Sequence, residues 1–592
     1  MALLVSFIGG VLPLLIIRRV LAASIIGVNQ TLLWWLIFYT VCPSLVWPLA
    51  GVVVMAVTLN VLFDFCFCCA MADSSSDYYK DYAMIRWPTL GVFLAAIALT
   101  FVVGLSGWGA FRADEYRALI GEVKKFEFTK DMQPSDPAHI RLVPPALAEF
   151  LADKQLGEAK ASIGSQYKVA KEYMTLQRVR GELWYVAPLD YNGFSVWTSI
   201  GNVTGYVKVS AEDPYKKVEL FLGESFVYTP GAYFSDNLER LLWTNGYLAK
   251  GLTDYTFEED ESGKCWWVVS VFEPTISYWG KKITGVAVID PTSGEITFHE
   301  KDKIPDWIDS AIPKSFAVNY IKEWGNFPHG WLNSWWGKKE LVDVTSFGSD
   351  PDYLEIVYGA DGEPYWFTGI TSATTADAAL VSVMYIHSRT GEAKEYKIAG
   401  MNGEAVLQVI NNEIQFKGWK GTAPMLFNFY GRPIWVSTVL GQSNTFKGVA
   451  LVDALTQELY WDGDNPMASF TRLRAEFGHE QIAVPLSEKG ARTTFQGKIE
   501  RVAKDGANYY LLVSDLPHAL IGTAGISLEL VFTQPGDEVK GEYVDSGEDI
   551  FPLVSFDNLA VTLELSAKQL KERDKMKEEA LPREGRGVEV IE

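Results

Sequence analysis

Residues 1–110 form a hydrophobic block that contains only eight charged residues, four basic and four acidic. A helix needs about 20 apolar residues to cross the hydrocarbon layer of a membrane. Four apolar runs approach that length, so the sequence predicts an N-terminal α-helical transmembrane bundle of about four helices, at 3–17, 32–47, 49–63 and 89–108. A chain with this block is expected to be an integral membrane protein, with the lipid bilayer as a partner.

The number of spans decides the predicted orientation. The second and third runs count as two spans only if Pro43 and Pro48 turn the chain back sharply. With four spans, the basic residues around Arg18 and Lys80 share one side, and the positive-inside rule places the rest of the chain outside the cytoplasm. With three spans these residues lie on opposite sides, and the rule gives no orientation. We expect four spans and an extracytoplasmic body.

The net charge of −21 lies entirely beyond residue 110, where 48 basic residues stand against 69 acidic ones. Nucleic-acid binding depends on clustered lysine and arginine side chains, so this composition argues against nucleic acid as a partner. Four of the five cysteines lie in the first 110 residues, which leaves Cys265 alone in the body. The body is therefore not held together by disulfides.

Beyond the block, runs rich in aromatic and β-branched residues alternate with Gly, Asp, Asn and Pro, as in residues 266–271. This pattern predicts an α+β body with mainly antiparallel β structure, and the proline-rich residues 134–145 predict a linker before it. We divide the chain into a transmembrane region (1–110), a stalk (111–160), an α+β domain (161–340), a second α+β domain (341–484), a small barrel (485–563) and a charged tail (564–592).

Three hairpins in this body share one pattern, in which a hydrophobic strand runs into a polar turn and a second strand. They lie at 288–296, 385–393 and 451–459. In the first two, Gly294 and Gly391 supply the positive φ that a tight connection favours, whereas the third has Gln457 at the same place.

A helix at 404–416 followed by strands and the third hairpin completes a helix-plus-meander module. Over residues 281–312 and 377–461 this module resembles the PepSY type of domain, which implies an envelope module that binds or restrains partners. Phrases around residues 183–189 and 329–331 are similar to uncharacterised bacterial and phage multi-span membrane proteins. That resemblance implies a bacterial inner or plasma membrane and carries no known activity.

Residues 485–563 resemble a small OB-like β-barrel, with strand-like runs at 495–502, 509–513 and 528–532. Barrels of this type often bind oligonucleotides or sugars on one face. Binding of single-stranded nucleic acid needs basic and aromatic residues together, and this segment is not basic. We therefore expect a structural or protein-docking barrel.

The sequence contains no recognisable catalytic or metal-binding motif. The six histidines are widely separated, and neither a nucleophile elbow nor a phosphate-binding loop is present. Asp306 and Asp309, with Glu300 and Asp302 nearby, could form a carboxylate site, although charge at the start of a helix is the ordinary explanation. We predict no catalytic, cofactor or metal residues and favour a non-enzymatic protein.

The densest aromatic segment lies between residues 324 and 336. If exposed, it would mark a contact with a glycan, a peptide or a membrane surface; if buried, it would belong to the core of a protein with 20 tryptophans. Its possible binding surface consists of Trp324, His329, Trp331, Asn333, Trp335 and Trp336.

Together these patterns predict a membrane-anchored, non-enzymatic envelope protein whose β-rich body binds or scaffolds protein partners and self-associates as a homo-oligomer. A transporter or channel subunit with a large regulatory domain is the alternative, but Asp64 is almost the only ionisable residue in the predicted spans. A membrane-bound hydrolase is a third possibility, and it would need a nucleophile and a base that come together only in the fold.

Overall fold

The computed structural model describes residues 32, 35–42, 44, 46, 95, 98–159, 161–348, 350–373, 379–461, 468–477, 492–505, 508–523, 526–544 and 550–561. The chain divides into two compact units. The first comprises Met1–Asn428 and Arg432–Pro466, and the second comprises Phe429–Gly431 and Met467–Glu592. The predicted charged tail, 564–592, lies outside the described residues.

Within the part of the chain that the structure describes, no helix is long and apolar enough to cross a membrane. The predicted transmembrane bundle is therefore wrong, and with it the prediction of an integral membrane protein with an extracytoplasmic body. The runs 3–17 and 49–63 lie outside the described residues. In the other two runs the described helical stretches are short: 35–41 ends at Cys42, whose φ is 45°, and 98–106 ends in a turn at Gly107.

The helices of the two units are short, and most of them connect strands. They are α1 (Gly109–Arg117), α2 (Phe128–Asp131), α3 (Pro145–Glu158), α4 (Ala161–Gln166), α5 (Phe194–Ile200), α6 (Leu238–Thr244), α7 (Lys314–Asn326), α8 (Gly403–Ile414) and α9 (Ala468–Phe477). The sequence pattern explains α8. The side chain of Asn402 caps the start of this helix by accepting a hydrogen bond from Ala405 N. The helix buries Val406, Ile410 and Ile414, which recur at helical spacing.

Twenty of the strands form four sheets in the first unit, and five form a barrel in the second. They are β1 (Val123–Glu127), β2 (Tyr167–Val169), β3 (Thr175–Val179), β4 (Glu182–Tyr191), β5 (Val203–Ser210), β6 (Glu219–Phe226), β7 (Gly251–Glu259), β8 (Cys265–Ile276), β9 (Trp279–Ile289), β10 (Ile296–Glu300), β11 (Val342–Val344), β12 (Glu355–Tyr358), β13 (Pro364–Ser372), β14 (Ala379–His387), β15 (Ala393–Met401), β16 (Lys420–Gly421), β17 (Met425–Phe429), β18 (Arg432–Leu440), β19 (Phe446–Asp453), β20 (Leu459–Tyr460), β21 (Arg492–Asp505), β22 (Asn508–Val513), β23 (Ala519–Thr523), β24 (Glu538–Val544) and β25 (Ile550–Asn558).

Each sheet of the first unit is an antiparallel meander of consecutive strands. Sheet I contains β2–β6, sheet II β7–β10, sheet III β11–β15 and sheet IV β16–β20, and β1 adds to sheet III as a parallel partner of β15. The first strand is interrupted in three of the sheets: β2 and β3 both pair with β4, β11 and β12 with β13, and β16 and β17 with β18. In sheet II the equivalent strand, β7, is bulged at Asp254, whose φ is 51°. The chain therefore repeats one structural unit four times.

Contacts between neighbouring sheets close a circle. The side chain of Gln177 in sheet I accepts a hydrogen bond from Glu259 N in sheet II, and Ser270 in sheet II and Ser388 in sheet III both bind the segment around Ala311. Tyr385 Oη in sheet III donates to Leu426 O in sheet IV. Leu142 joins sheet IV to sheet I. Its backbone N–H donates to Ala211 O beside sheet I, and its carbonyl oxygen accepts a hydrogen bond from Thr438 in sheet IV. This is the architecture of a four-bladed β-propeller.

The first strands of the sheets run in the same direction, since their C-terminal residues meet: Gln177 binds Glu259, and Tyr358 Oη lies 3.2 Å from Leu176 O. Turns between the first and second strands and between the third and fourth strands therefore lie at one end of the propeller, which we call the hairpin end. Turns between the second and third strands lie at the other end, where the segments between sheets also leave one sheet and enter the next, and we call it the connection end.

The three hairpins predicted from the sequence are the turns between the third and fourth strands of sheets II, III and IV. In each, the first turn residue accepts two backbone N–H groups. Its carbonyl oxygen accepts from the residue four positions on, which is Gly294, Gly391 or Gln457. Its side chain accepts from the residue two positions on, as Asp290 does from Thr292, His387 from Arg389 and Asp453 from Leu455. Because these hairpins belong to four-stranded propeller blades, the predicted PepSY-like modules are wrong.

The core of the first unit lies within and between the sheets. Its largest fully buried side chains include Trp267, Trp435, Phe257, Phe367 and Leu189. Aromatic contacts join sheets, as between Phe367 and Trp435, whose ring centroids are 6.0 Å apart. These contacts fix the relative positions of the blades.

The second unit contains a closed five-stranded barrel in the order β21-β22-β23-β25-β24. All pairs are antiparallel except β23 with β25. Leu511, Leu520, Leu530 and Leu553 fill its interior. The β-rich character and this small barrel are the parts of the predicted fold class that the structure retains.

Candidate functional site

The aromatic segment between residues 324 and 336 follows sheet II at the connection end. Trp324 lies in the last turn of α7, and the guanidinium of Arg117 lies 5.4 Å from its ring centroid. His329 Nε2 lies 2.9 Å from Glu340 Oε2, and the side chain of Asn333 binds both N and O of Lys339. These three predicted residues therefore shape the segment itself.

The other three predicted residues lie at the surface. Trp335 is 68% exposed and Trp336 81% exposed, on a π-helical turn at Asn333–Gly337, and Trp331 is half-buried beside them. The ring centroids of Trp331 and Trp335 are 6.4 Å apart, and those of Trp335 and Trp336 are 5.7 Å apart.

Two further tryptophans join this surface from distant parts of the chain. Trp108 contacts Trp331 edge-on at 5.4 Å. Trp279, the first residue of β9, lies against Gly107, where an added Cβ would come within 2.7 Å of its ring. We call Trp108, Trp279, Trp331, Trp335 and Trp336 the tryptophan patch. Local spacing gave no signal for Trp279, because only the β8–β9 turn brings it to this place.

A second candidate site, which sequence reasoning missed, lies at the hairpin end between sheets III and IV. It is a cavity of about 190 Å³. Its aromatic walls are Phe126, Tyr358, Tyr365, Tyr385, Tyr396 and Phe427, and its polar lining includes Asp131, Gln133, Ser135, Asp361 and Lys394. We call it the aromatic cavity.

Three adjacent strands and β1 position these rings. Phe126 in β1 is paired in register with Tyr396 in β15, which stacks their rings at 5.3 Å. Tyr385 in β14 packs edge-on to Tyr396 at 5.5 Å and is held by its hydrogen bond to Leu426 O. The walls are therefore set by strand register.

The charges of the cavity are connected through one tyrosine. Lys394 Nζ donates to Tyr365 Oη at 3.1 Å, and Tyr365 Oη donates to Asp361 Oδ2 at 2.8 Å. Burial, together with the neighbouring carboxylate of Asp361, raises the pKa of Tyr365 above its ordinary value. Asp131, which is exposed, adds a second carboxylate, so the lining carries one more negative charge than positive.

The carboxylates singled out in the sequence do not form one site. Asp306 is fully exposed, whereas Asp309 is 4% exposed and lies outside any helix because α7 begins only after Pro313. Asp309 Oδ2 accepts hydrogen bonds from Arg178 N at 2.7 Å and Tyr358 Oη at 2.8 Å. Its own backbone N–H donates to Glu258 Oε2 at 2.9 Å.

Asp309 and Glu258 thus join sheets I, II and III. Burial raises the pKa of Asp309 to about 6, and burial together with the charge of Asp309 raises the pKa of Glu258 to about 8. Because these carboxylates bind groups of the protein itself, we interpret them as a structural junction. Across the described residues no group of three or more His, Cys, Asp or Glu side chains is arranged to hold a metal ion.

No family profile matches the chain, and no curated protein matches it. The interpretation as a PepSY-related envelope scaffold therefore has no support from relatives. Among solved structures, a Dyadobacter fermentans protein of unknown function is 9% identical over 66% of this chain and 94% of its own, with a TM-score of 0.17.

A Synechocystis apocarotenoid oxygenase mutant is 8% identical over 51% of this chain and 63% of its own, with a TM-score of 0.16. A Trypanosoma rangeli sialidase mutant is 10% identical over 70% of this chain and 57% of its own, with a TM-score of 0.15. Similarities at this level support no conclusion about the fold or function of this protein.

Proposed function

We propose that this protein is a binding protein that takes a basic side chain of a protein partner, an arginine or a lysine, into the aromatic cavity. The supporting observation is the cavity itself: six aromatic residues line a volume of about 190 Å³, with Asp131 and Asp361 also in the lining. The faces of aromatic rings attract cations, and a desolvated cation over such a face gains about 2 kcal/mol.

Among the described residues that line the cavity, Lys394 is the one cation, and its contacts favour a basic guest over an acidic one. Its charge is connected to Asp361 through the hydroxyl of Tyr365, which leaves Asp131 as the carboxylate in excess. The body as a whole is acidic, with a net charge of −21, and such a field steers basic partners towards it.

The size of the cavity fits a side chain better than a large ligand. Pockets for drug-sized molecules run from about 300 to 1,000 Å³. The proposal assigns binding to the cavity and no reaction. Binding of a protein side chain in this cavity agrees with the protein-binding role expected from the sequence.

The test is a ligand-observed NMR titration of the full chain with the peptide acetyl-Gly-Arg-Gly-amide. A citrulline peptide of the same length is the matched ligand, since citrulline keeps the shape of arginine and lacks its charge. We expect a dissociation constant on the order of 1 mM for the arginine peptide and at least about fivefold weaker binding of the citrulline peptide. Equal binding of the two peptides would overturn the proposal.

Two variants locate the binding. Tyr396→Leu removes a ring face and is expected to weaken the arginine peptide about fivefold, whereas Tyr215→Leu, an exposed ring elsewhere at the hairpin end, is the control. Lys394→Met removes the competing cation and is expected to strengthen binding. Loss of arginine-peptide binding in Lys394→Met would contradict the proposal, because Lys394 would then support binding instead of competing with the guest.

A further inference from the structure

The tryptophan patch is one continuous surface at the connection end. Trp108 and Trp279 are each about half-exposed, and Trp335 and Trp336 are the most exposed of the five. Contacts run from Trp279 through Gly107 to Trp108, then to Trp331 and on to Trp335. Three separate parts of the protein thus place indole rings side by side: the residue before α1, the start of β9, and the segment after α7 with its π-helical turn.

Apolar side chains extend the patch along the helical stretch 98–106. Leu99, Phe101 and Val102 are each more than half exposed, and Leu105 is close to half. The hydroxyl of Ser277, next to the β8–β9 turn, donates to Val103 O and fixes this stretch beside Trp279. The exposed apolar surface is therefore larger than the five indoles.

A second set of rings lies at the same end of the propeller. Phe194 and Trp197 in α5, between β4 and β5, contact Tyr233 and Phe234, between β6 and β7, with centroid distances from 5.0 to 6.5 Å. Phe194 and Phe234 are about half-exposed. Two sets of exposed rings on separate blades suit an extended apolar surface as partner.

We propose that the tryptophan patch docks on a phospholipid surface. An indole combines a large apolar ring with one polar N–H, and this combination places tryptophan at the boundary between hydrocarbon and headgroups. The acidic excess of the chain opposes attraction to anionic lipid, so the surface expected is zwitterionic. The contact uses side chains that enter the headgroup region and requires no helix to cross the bilayer.

The experiment is hydroxyl-radical footprinting of the full chain with and without vesicles of phosphatidylcholine, read out by mass spectrometry at each ring. Rings that enter the headgroup region lose access to water, so we expect oxidation of Trp335 and Trp336 to fall about threefold or more when vesicles are added. Tyr215, which is 69% exposed at the hairpin end, is the internal control and should be oxidised equally in both samples.

Unchanged oxidation of Trp335 and Trp336 in the presence of vesicles would overturn the proposal, whether or not the protein binds the vesicles by other residues. A dilution series without lipid tests the rival occupant. If oxidation of these two residues falls as protein concentration rises, the patch is covered by a second copy of the chain and the lipid proposal is wrong. The proposal is independent of the aromatic cavity, which lies at the other end.

Discussion

The two ends of the propeller are built by different means. At the hairpin end, short polar turns and buried carboxylates bind neighbouring backbone groups, as Asp290 and Asp453 do in their turns and Asp309 does between sheets. At the connection end, the β8–β9 turn and the long segment after α7 place aromatic rings such as Trp279 and Trp336 at the surface. The hairpin end therefore holds the fold together, whereas the exposed rings of the connection end are available for contact.

The largest expected difference between the two ends concerns the buried junction. Replacing Asp309 by Ala removes the acceptor for Arg178 N and Tyr358 Oη. It also removes a carboxylate beside the buried guanidinium of Arg389, which keeps its contacts with Asp306 and Glu363. We expect the free energy of unfolding to fall by about 3 kcal/mol or more, measured by denaturant titration. Asp306→Ala is the control, because that carboxylate is fully exposed, and an equal loss in both variants would contradict the junction.

The next effect is a dependence of stability on pH. Glu258 has a pKa of about 8 and Asp309 of about 6 in the folded protein, both above the values of an unfolded chain near 4. The folded state therefore holds these protons more tightly. The stabilisation that these two groups contribute is greatest below pH 4 to 5. It is lost as the pH rises through the folded pKa values of about 6 and then about 8.

We expect the free energy of unfolding to fall by on the order of 3 kcal/mol between pH 5 and pH 8.5. Glu258→Gln, which keeps the shape of the side chain and cannot ionise, should flatten most of this dependence. A wild-type protein that gains stability over the same range would show that the carboxylates are ionised in the fold.

A smaller effect concerns the third hairpin. Gln457 has a φ of 64° at the position where the other two hairpins have Gly294 and Gly391. A residue with a Cβ is strained in this conformation, so Gln457→Gly should raise the free energy of unfolding by about 0.5–1 kcal/mol. Gly391→Ala is the reverse test and should destabilise, because its Cβ would lie 2.8 Å from Ile312.

The smallest effect on stability is expected at the connection end. Replacing Trp335 and Trp336 together by Ser should change the free energy of unfolding by no more than about 0.5 kcal/mol, since both rings are largely exposed. Denaturant titration followed by circular dichroism measures this. A loss comparable to that of Asp309→Ala would mean that the patch belongs to the core of the folded protein.

The same contrast explains what could be predicted from the sequence. The hairpins near Asp290 and Asp453 were recognisable because a turn is specified by adjacent residues, and α8 because its cap and apolar spacing are local. The arrangement of the hairpins in four blades could not be predicted in this way, because contacts such as that between Tyr385 and Leu426 join residues far apart in the chain.

Both candidate sites depend on such long-range placement. The aromatic segment was recognised by its density of tryptophan, but Trp279 reaches it only through the β8–β9 turn. The aromatic cavity was missed entirely, because Phe126 comes from a strand that pairs with β15 across more than 260 residues. The predicted transmembrane helices rested on apolar composition alone, whereas the described helical stretches within two of the runs end at Cys42 and in the turn at Gly107.

We propose that the two ends of the propeller bind different partners independently. The most direct test measures the oxidation of Trp335 and Trp336 by hydroxyl radicals in the protein alone, with phosphatidylcholine vesicles, with a saturating concentration of acetyl-Gly-Arg-Gly-amide, and with both. We predict that vesicles protect these residues, that the peptide does not, and that protection with both equals protection with vesicles. Protection by the peptide alone, or its loss when peptide is added to vesicles, would contradict the account.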